Sequence, residues 1–248
     1  MRIDMTDRVA IVTGAAHRVG RAIVLELARS GVHILVHSFN APDDVVKATL
    51  RDVKSEGVEA YSVKADIRQP QGIDAIFEAL EAHFSRLDIL VNSASNFQRR
   101  MLLDVTLDDW RETMDTNLTA PFLLTQRAIP LMRANTPASG VIINICDRGA
   151  VDPWVEFAHH GISKAGLLAL TKVTAAGYGP DIRANAIIPG LVLKPDGMAE
   201  ARWQGLAQHV PAGRPGTAED VGRAVVYLAS EDYLTGVVLN VDGGDSLV

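Results

Sequence analysis

Short runs of Val, Ile and Leu alternate along the whole chain with longer stretches in which apolar residues recur every three or four positions. The short runs read as strands buried on both faces, predicted at 8–13, 32–37, 59–64, 89–92, 140–146, 183–188 and 237–241. Helical periodicity predicts helices at 20–30, 44–56, 71–84, 107–133 with a break near Pro121, 160–176 and 218–228. Thr106 and Thr217 each stand three residues before an acid, Asp109 and Asp220, the pattern of a capping box at a helix start. Strand–helix alternation of this kind builds successive βαβ units. The predicted fold class is therefore α/β: a Rossmann-type doubly wound parallel sheet of about seven strands, with helices on both faces. No linker, repeat or charge block divides the chain, so residues 1–248 read as one domain.

Composition narrows the function classes. The chain is 48% hydrophobic and 22% charged, with a formal net charge of -6. An acidic balance without a basic stripe argues against a nucleic-acid or anionic-membrane partner. No apolar run reaches the roughly 18 residues of a spanning helix, and the first residues lack a signal-peptide core, which places the expected setting in the cytoplasm. Cys146 is the one cysteine, so an intrachain disulfide is impossible and a core role is expected for it. The seven histidines are scattered without zinc-type spacing, and no metal site is expected.

Candidate chemistry begins after the first predicted strand, which runs into Thr13-Gly-Ala-Ala-His-Arg-Val-Gly20 and then an amphipathic helix. Gly14 permits a tight turn, Gly20 permits close approach of helix to strand, and the helix N-terminus offers N–H groups to a pyrophosphate. An NAD site usually has an acid at the end of the second strand; here the sequence is His37-Ser-Phe-Asn40. The missing acid, with His17 and Arg18 in the turn, favours NADP(H), because a guanidinium can clamp a 2′-phosphate. His17 and His37 each read individually as polar surface residues more readily than as direct phosphate ligands.

With Asp66 after the third strand, Asn92-Ser-Ala-Ser95 after the fourth, Asn117 in a long helix, Ser163-Lys-Ala165, Pro189-Gly190 and Val241-Asp-Gly-Gly244, these motifs resemble the short-chain dehydrogenase/reductase family over essentially the whole chain. Within it, pteridine reductases and related dihydropterin reductases are the nearest resemblance. Arg18 stands where most of the family has glycine, Asn92-Ser-Ala-Ser-Asn-Phe97 resembles a segment ending in a pterin-stacking phenylalanine, and Asp147 replaces the family's serine. The resemblance implies a cofactor site of Gly14, His17, Arg18, Val19, Gly20, His37, Ser38, Asn40, Asp66, Ile67, Asn92, Ser93, Ala94, Lys164, Pro189 and Gly190. It implies substrate contacts from Arg18, Ser95, Phe97 and Asp147, a catalytic group of Asn117, Asp147, His160 and Lys164, and a substrate lid over about 191–207 that contains Pro195 and Gly197. It also implies a homo-oligomer, tetramer or dimer, with surfaces on 118–133 and 167–176. Phe97 alternatively reads as a core or lid aromatic, and Asp147 as a solvated strand-end acid.

The family's general acid/base, a tyrosine four residues before the lysine, is absent; His160 holds that position. Residues four apart share a helix face, so His160 and Lys164 address the same site. A neighbouring ammonium favours neutral imidazole, a poor acid near pH 7, unless Asp147 lies close enough to stabilise imidazolium. His160 is thus either a substitute proton donor or a packed helix-start histidine. The expected function is an NADPH-dependent reductase of a C=N or C=O bond, with a pterin-like heterocycle as substrate. The alternatives are a reductase or dehydrogenase of another carbonyl or alcohol, and a catalytically silent NADP-binding protein.

Overall fold

A computed structural model of the chain describes residues 3–194 and 197–248. Its strands are β1 (Val9–Val12), β2 (His33–Ser38), β3 (Ala60–Lys64), β4 (Ile89–Asn92), β5 (Gly140–Ile145), β6 (Ile182–Pro189) and β7 (Val238–Val241). All pair in parallel in the order β3-β2-β1-β4-β5-β6-β7, with Ala10 of β1 opposite Ile34 of β2 and Ile89 of β4. The helices are α1 (Arg18–Arg29), α2 (Asp43–Lys54), α3 (Pro70–His83), α4 (Leu107–Met114), α5 (Ala120–Arg133), α6 (Ala158–Tyr178), α7 (Glu200–Ala207) and α8 (Ala218–Ser230).

Alternation along the strands divides the core between two layers. Ala10 and Val12 pack with Ile23, Leu27, Val221 and Val225 of α1 and α8. Val9 and Ile11 point the other way, onto Ile76, Phe77, Leu124 and Ala128 of α3 and α5. Each fully buried Ile, Leu or Phe contributes roughly 2 kcal/mol, which fixes the register of strands that have no solvent face. The connection from β1 crosses one face and that from β4 the other. The carboxyl ends of these two adjacent strands therefore form the topological switch point, where α/β sheets bind ligands.

The strand predictions hold to within one or two residues, and both capping boxes form, with Thr106 accepting from the Asp109 N–H at 3.1 Å and Thr217 from the Asp220 N–H at 3.3 Å. The predicted helix 107–133 divides into α4 and α5 around a π turn at Asp115–Thr119. Pro121 lies in the first turn of α5, directly after that π turn, so the expected break near it takes the form of a change in helical register within a continuous helical backbone. The stretch expected to be irregular over 191–207 contains α7, which buries Trp203; Pro195 and Asp196 lie outside the described residues. Among the described residues no helix is long and apolar enough to cross a membrane.

Candidate active site

A cleft of about 810 Å³ opens at the switch point, within the size range of small-ligand sites. Its glycine turn is shaped by close approach. Gly14 has φ +65°, and a Cβ there would lie 2.9 Å from the Ala94 Cα; one on Gly20 would collide with the Gly14 carbonyl. Thr13 Oγ1 accepts the N–H groups of Ser93 and Ala94, both at 3.0 Å, and ties the turn to the segment after β4. His17, Arg18 and Val19 line the cleft, with His17 and Arg18 exposed. Arg18 takes φ +56°, the left-handed conformation that glycine adopts without strain.

At the far end Asn40, Asp66 and Ile67 line the cleft as expected, joined by Phe39 and Arg68, which sequence reasoning missed. The Arg68 guanidinium lies 5.3 Å from the Phe39 ring centre and grips the Asp66 carboxylate at 2.7–3.1 Å. Those bonds hold the Asp66 carboxyl below the usual carboxylate range. An aromatic one residue past a strand end and an arginine two past an acid were the available signals.

His37 corrects the expectation of a polar surface histidine. It is 1% exposed, accepts the Gly14 N–H at Nδ1 (3.2 Å) and meets the Ala65 carbonyl at Nε2 (2.9 Å), so neither ring nitrogen is left for a phosphate. The His37 ring still lines the cleft, whereas Ser38, likewise buried, lies outside the lining. Asn92 faces the sheet interior, where its Nδ2 donates to Asn144 Oδ1 at 2.8 Å; Asn144 in turn donates to Thr171 of α6 at 2.8 Å. Ser93 and Ala94 do line the cleft, as does Pro189. Gly190 allows the chain to pass Asp242, whose Cα would be 2.7 Å from a Cβ.

The predicted catalytic residues converge at the other end. A 3₁₀ turn at Arg148–Ala150 follows β5, and α6 begins against it: a Cβ on Gly161 would lie 2.9 Å from the Gly149 carbonyl. That contact sets His160 Nε2 in a short hydrogen bond with Asp147 Oδ2. His160 Nδ1 lies 2.8 Å from the Asn96 carbonyl, which can only accept, so Nδ1 carries a hydrogen. Asn117, on the π turn, accepts the Asn96 N–H at 2.7 Å and donates to the Asn96 carbonyl at 3.0 Å and to Ser163 Oγ at 3.0 Å. It therefore holds the loop that holds His160, and does not itself line the cleft.

The two partners of the His160–Asp147 hydrogen bond are unequally placed. His160 is 1% exposed and Asp147 19%. Asp147 Oδ1 is buried with no hydrogen-bond partner. Lys164 is buried beside the pair and donates to the Ile145 carbonyl at 2.9 Å; burial lowers its pKa from the usual lysine value. Burial pushes the Cys146 thiol up to about 12, in keeping with the core role expected of it.

Phe97 is 57% exposed at the mouth and Ser95 lies beside it on the cleft wall. Phe97 presents its ring edge-on to His160 at 4.7 Å and stacks on Phe157 at 4.4 Å, with Trp154 edge-on at 6.3 Å. The two added aromatics come from the loop before α6. That loop is held against the Phe97 segment by the Arg100 N–H, which donates to the Glu156 carbonyl at 2.8 Å, and by an Arg99–Glu156 ion pair.

Comparison with known proteins bears on the family and the fold. A family model described as Enoyl-(Acyl carrier protein) reductase matches residues 14–246. The 3beta-hydroxysteroid dehydrogenase 1 of Eggerthella lenta is 33% identical, over 98% of this chain and 95% of its own. The 3-oxoacyl-[acyl-carrier-protein] reductase of Synechocystis is 32% identical over 97% of each. A crystal structure from Sinorhizobium meliloti, described as a short-chain alcohol dehydrogenase, superposes with a TM-score of 0.90 at 30% identity over 98% of both chains.

Proposed function

Because this chain belongs to the short-chain dehydrogenase/reductase family and is an oxidoreductase, we propose that it is an NADPH-dependent reductase of a C=N or C=O bond in a flat, pterin-like heterocycle. The observation that carries this reading is the Asp147–His160 pair at the cleft wall, with Phe97 against it.

The residues suit a dinucleotide. Gly14 and Gly20 form a cradle that side chains would fill, the start of α1 supplies N–H groups for a pyrophosphate, and Arg18 stands at the turn to meet a 2′-phosphate. Lys164, with one donor engaged on Ile145, has others to offer a ribose. Bound there, a reduced nicotinamide supplies a hydride. The chain's own part is to hold and deliver a proton. Both side chains line the cleft, and the Asp147 carboxyl is the more exposed, at 19% against 1% for the ring. Asp147 is therefore the terminal donor; His160 stands behind it as proton reservoir. Once the proton has left, the Nε2 lone pair faces a carboxylate, an arrangement that draws a proton back. Asp147 Oδ1, unpartnered, is the acceptor that a ring N–H of the substrate would fill. Phe97 offers an aromatic surface to a planar ring.

The test is NADPH consumption with dihydropterins from about pH 5 to 8, comparing wild type with Asp147→Asn and His160→Ala. Turnover should drop about 10²–10⁴-fold in Asp147→Asn, which removes the proton donor. Tight NADPH binding without consumption on any dihydropterin would sink the pterin reading. The relatives' names favour a second reading, a non-heterocyclic ketone substrate, which turnover of simple ketones alone would support. Self-association is part of the proposal, through α5 and α6, where Phe122, Ile162 and Val173 are exposed.

A further inference from the structure

We propose that His37 is a positioning residue for the cofactor-binding turn: a neutral imidazole in a single tautomer that braces the turn from behind, so that dinucleotide affinity depends on this ring staying unprotonated. The inference rests on the reading of the cleft as a nicotinamide-dinucleotide site.

His37 is near the end of β2, 1% exposed, at the back of the turn between β1 and α1. Its two partners each dictate the form of one nitrogen. The Gly14 N–H can only donate, so Nδ1, at 3.2 Å, is bare. The Ala65 carbonyl can only accept, so Nε2, at 2.9 Å, carries the hydrogen. The backbone of the same residue holds the next position, since the Ala15 N–H donates to the His37 carbonyl at 2.8 Å. One residue thus secures two consecutive N–H groups of the turn, while Ala94 closes it from the other side. Thr49 of α2 adds a third tie, donating to the Ala16 carbonyl at 2.8 Å.

Protonation of Nδ1 would set two donors against each other and release Gly14 from its brace. The elements packed against the ring carry several charged groups, of which Asp66 acts on it. The turn contributes His17 and Arg18, the segment after β3 contributes Asp66 with Arg68 clamped on it, and Lys64 is paired with Asp43 at 3.5 Å. Burial pushes the ring below the usual histidine range and outweighs the Asp66 carboxylate, which favours the imidazolium. The neutral form therefore prevails at pH 7, and the brace fails on the acid side only.

The test measures NADPH and NADH dissociation constants by fluorescence from about pH 5 to 8 for wild type, His37→Leu and His37→Asn. The asparagine amide oxygen stands where Nδ1 does and does not titrate. His37→Leu should weaken NADPH about tenfold at neutral pH, the effect of leaving one N–H without its acceptor. His37→Asn should restore affinity to within about threefold and flatten the acid-side loss seen in wild type. Nitrogen NMR of the ligand-free wild type should show a bare Nδ1 and a protonated Nε2 at neutral pH, a readout that needs no variant to fold. An Nδ1-protonated ring, or acid limbs that coincide in wild type and His37→Asn, overturns the inference alone. So does NADPH affinity in His37→Leu within about twofold of wild type. A wild type that binds neither nucleotide overturns the reading of the cleft and the inference together.

Discussion

Buried polar groups are treated in opposite ways at the two ends of this sheet. At the amino end of the strands, Asp88 is 1% exposed and accepts from Arg8 at 3.0 Å, from Arg86 twice at 2.7 Å, and from the Val9 N–H at 3.0 Å. Arg183 donates to the carbonyls of Leu228, Leu234 and Ala229, which stitches β6 to the end of α8 and the turn beyond. A cavity of about 190 Å³ sits there, lined by Arg8, Asp88 and Arg183, all of them committed to internal bonds. At the carboxyl end, Lys164 makes one hydrogen bond and Asp147 Oδ1 makes none. Charge that is fully answered from within stabilises the fold, whereas charge left partly unanswered is held for something that binds. The two cavities differ in size, about 190 against 810 Å³, and the state of their polar atoms differs in the same sense.

Three substitutions press on this contrast. Asp88→Ala should have the largest effect, a loss of about 2–3 kcal/mol in urea unfolding, because it leaves the buried Val9 N–H without its acceptor and unties the partly exposed Arg8 and Arg86. NADPH affinity, measured at a temperature where the variant is folded, should stay as in wild type; a large loss of affinity would mean the two ends are coupled. Lys164→Met should act in the opposite sense, raising stability by about 1–2 kcal/mol at pH 7 by removing a buried cation while weakening cofactor binding. The folded-state pKa of Lys164 is depressed, so its unfavourable term is greatest at neutral pH and fades as pH rises through that value. The stability gain should therefore shrink in alkaline buffer, and a pH-independent gain would mean the lysine is not strained by burial. Arg18→Gly is the smallest and sharpest. Relief of the left-handed backbone should add about 1 kcal/mol to stability, while preference for NADPH over NADH falls, read from the two dissociation constants.

Most of the framework was legible in the chain because it is encoded locally. β1 and β5 are apolar at nearly every position, which marks strands covered on both faces, and the strand–helix order then leaves little choice of topology. The capping boxes at Thr106 and Thr217 were readable for the same reason, since both partners lie within four residues. The departures at the site are non-local. His37 looks like a surface polar residue until β3 and the glycine turn close over it. His160 and Lys164 could be set on one helix face from their spacing, but the direction of the imidazole depends on Asp147, thirteen positions earlier across a folded-back loop. Trp154 and Phe157 carried no periodic signal that would join them to Phe97. The helix α7 was hidden by Pro195 and Gly197 just before it and by Gly205 within it.

The contact between Gly149 and Gly161 has an evolutionary consequence. It anchors both ends of the segment between them, so the acid at Asp147 and the ring at His160 hold their relation whatever the intervening residues are. Trp154 and Phe157 lie inside that segment. Insertions or exchanges there would therefore remodel the aromatic wall without displacing Asp147 or His160, and descendants of this chain could change the shape of the cleft mouth while inheriting the same polar pair.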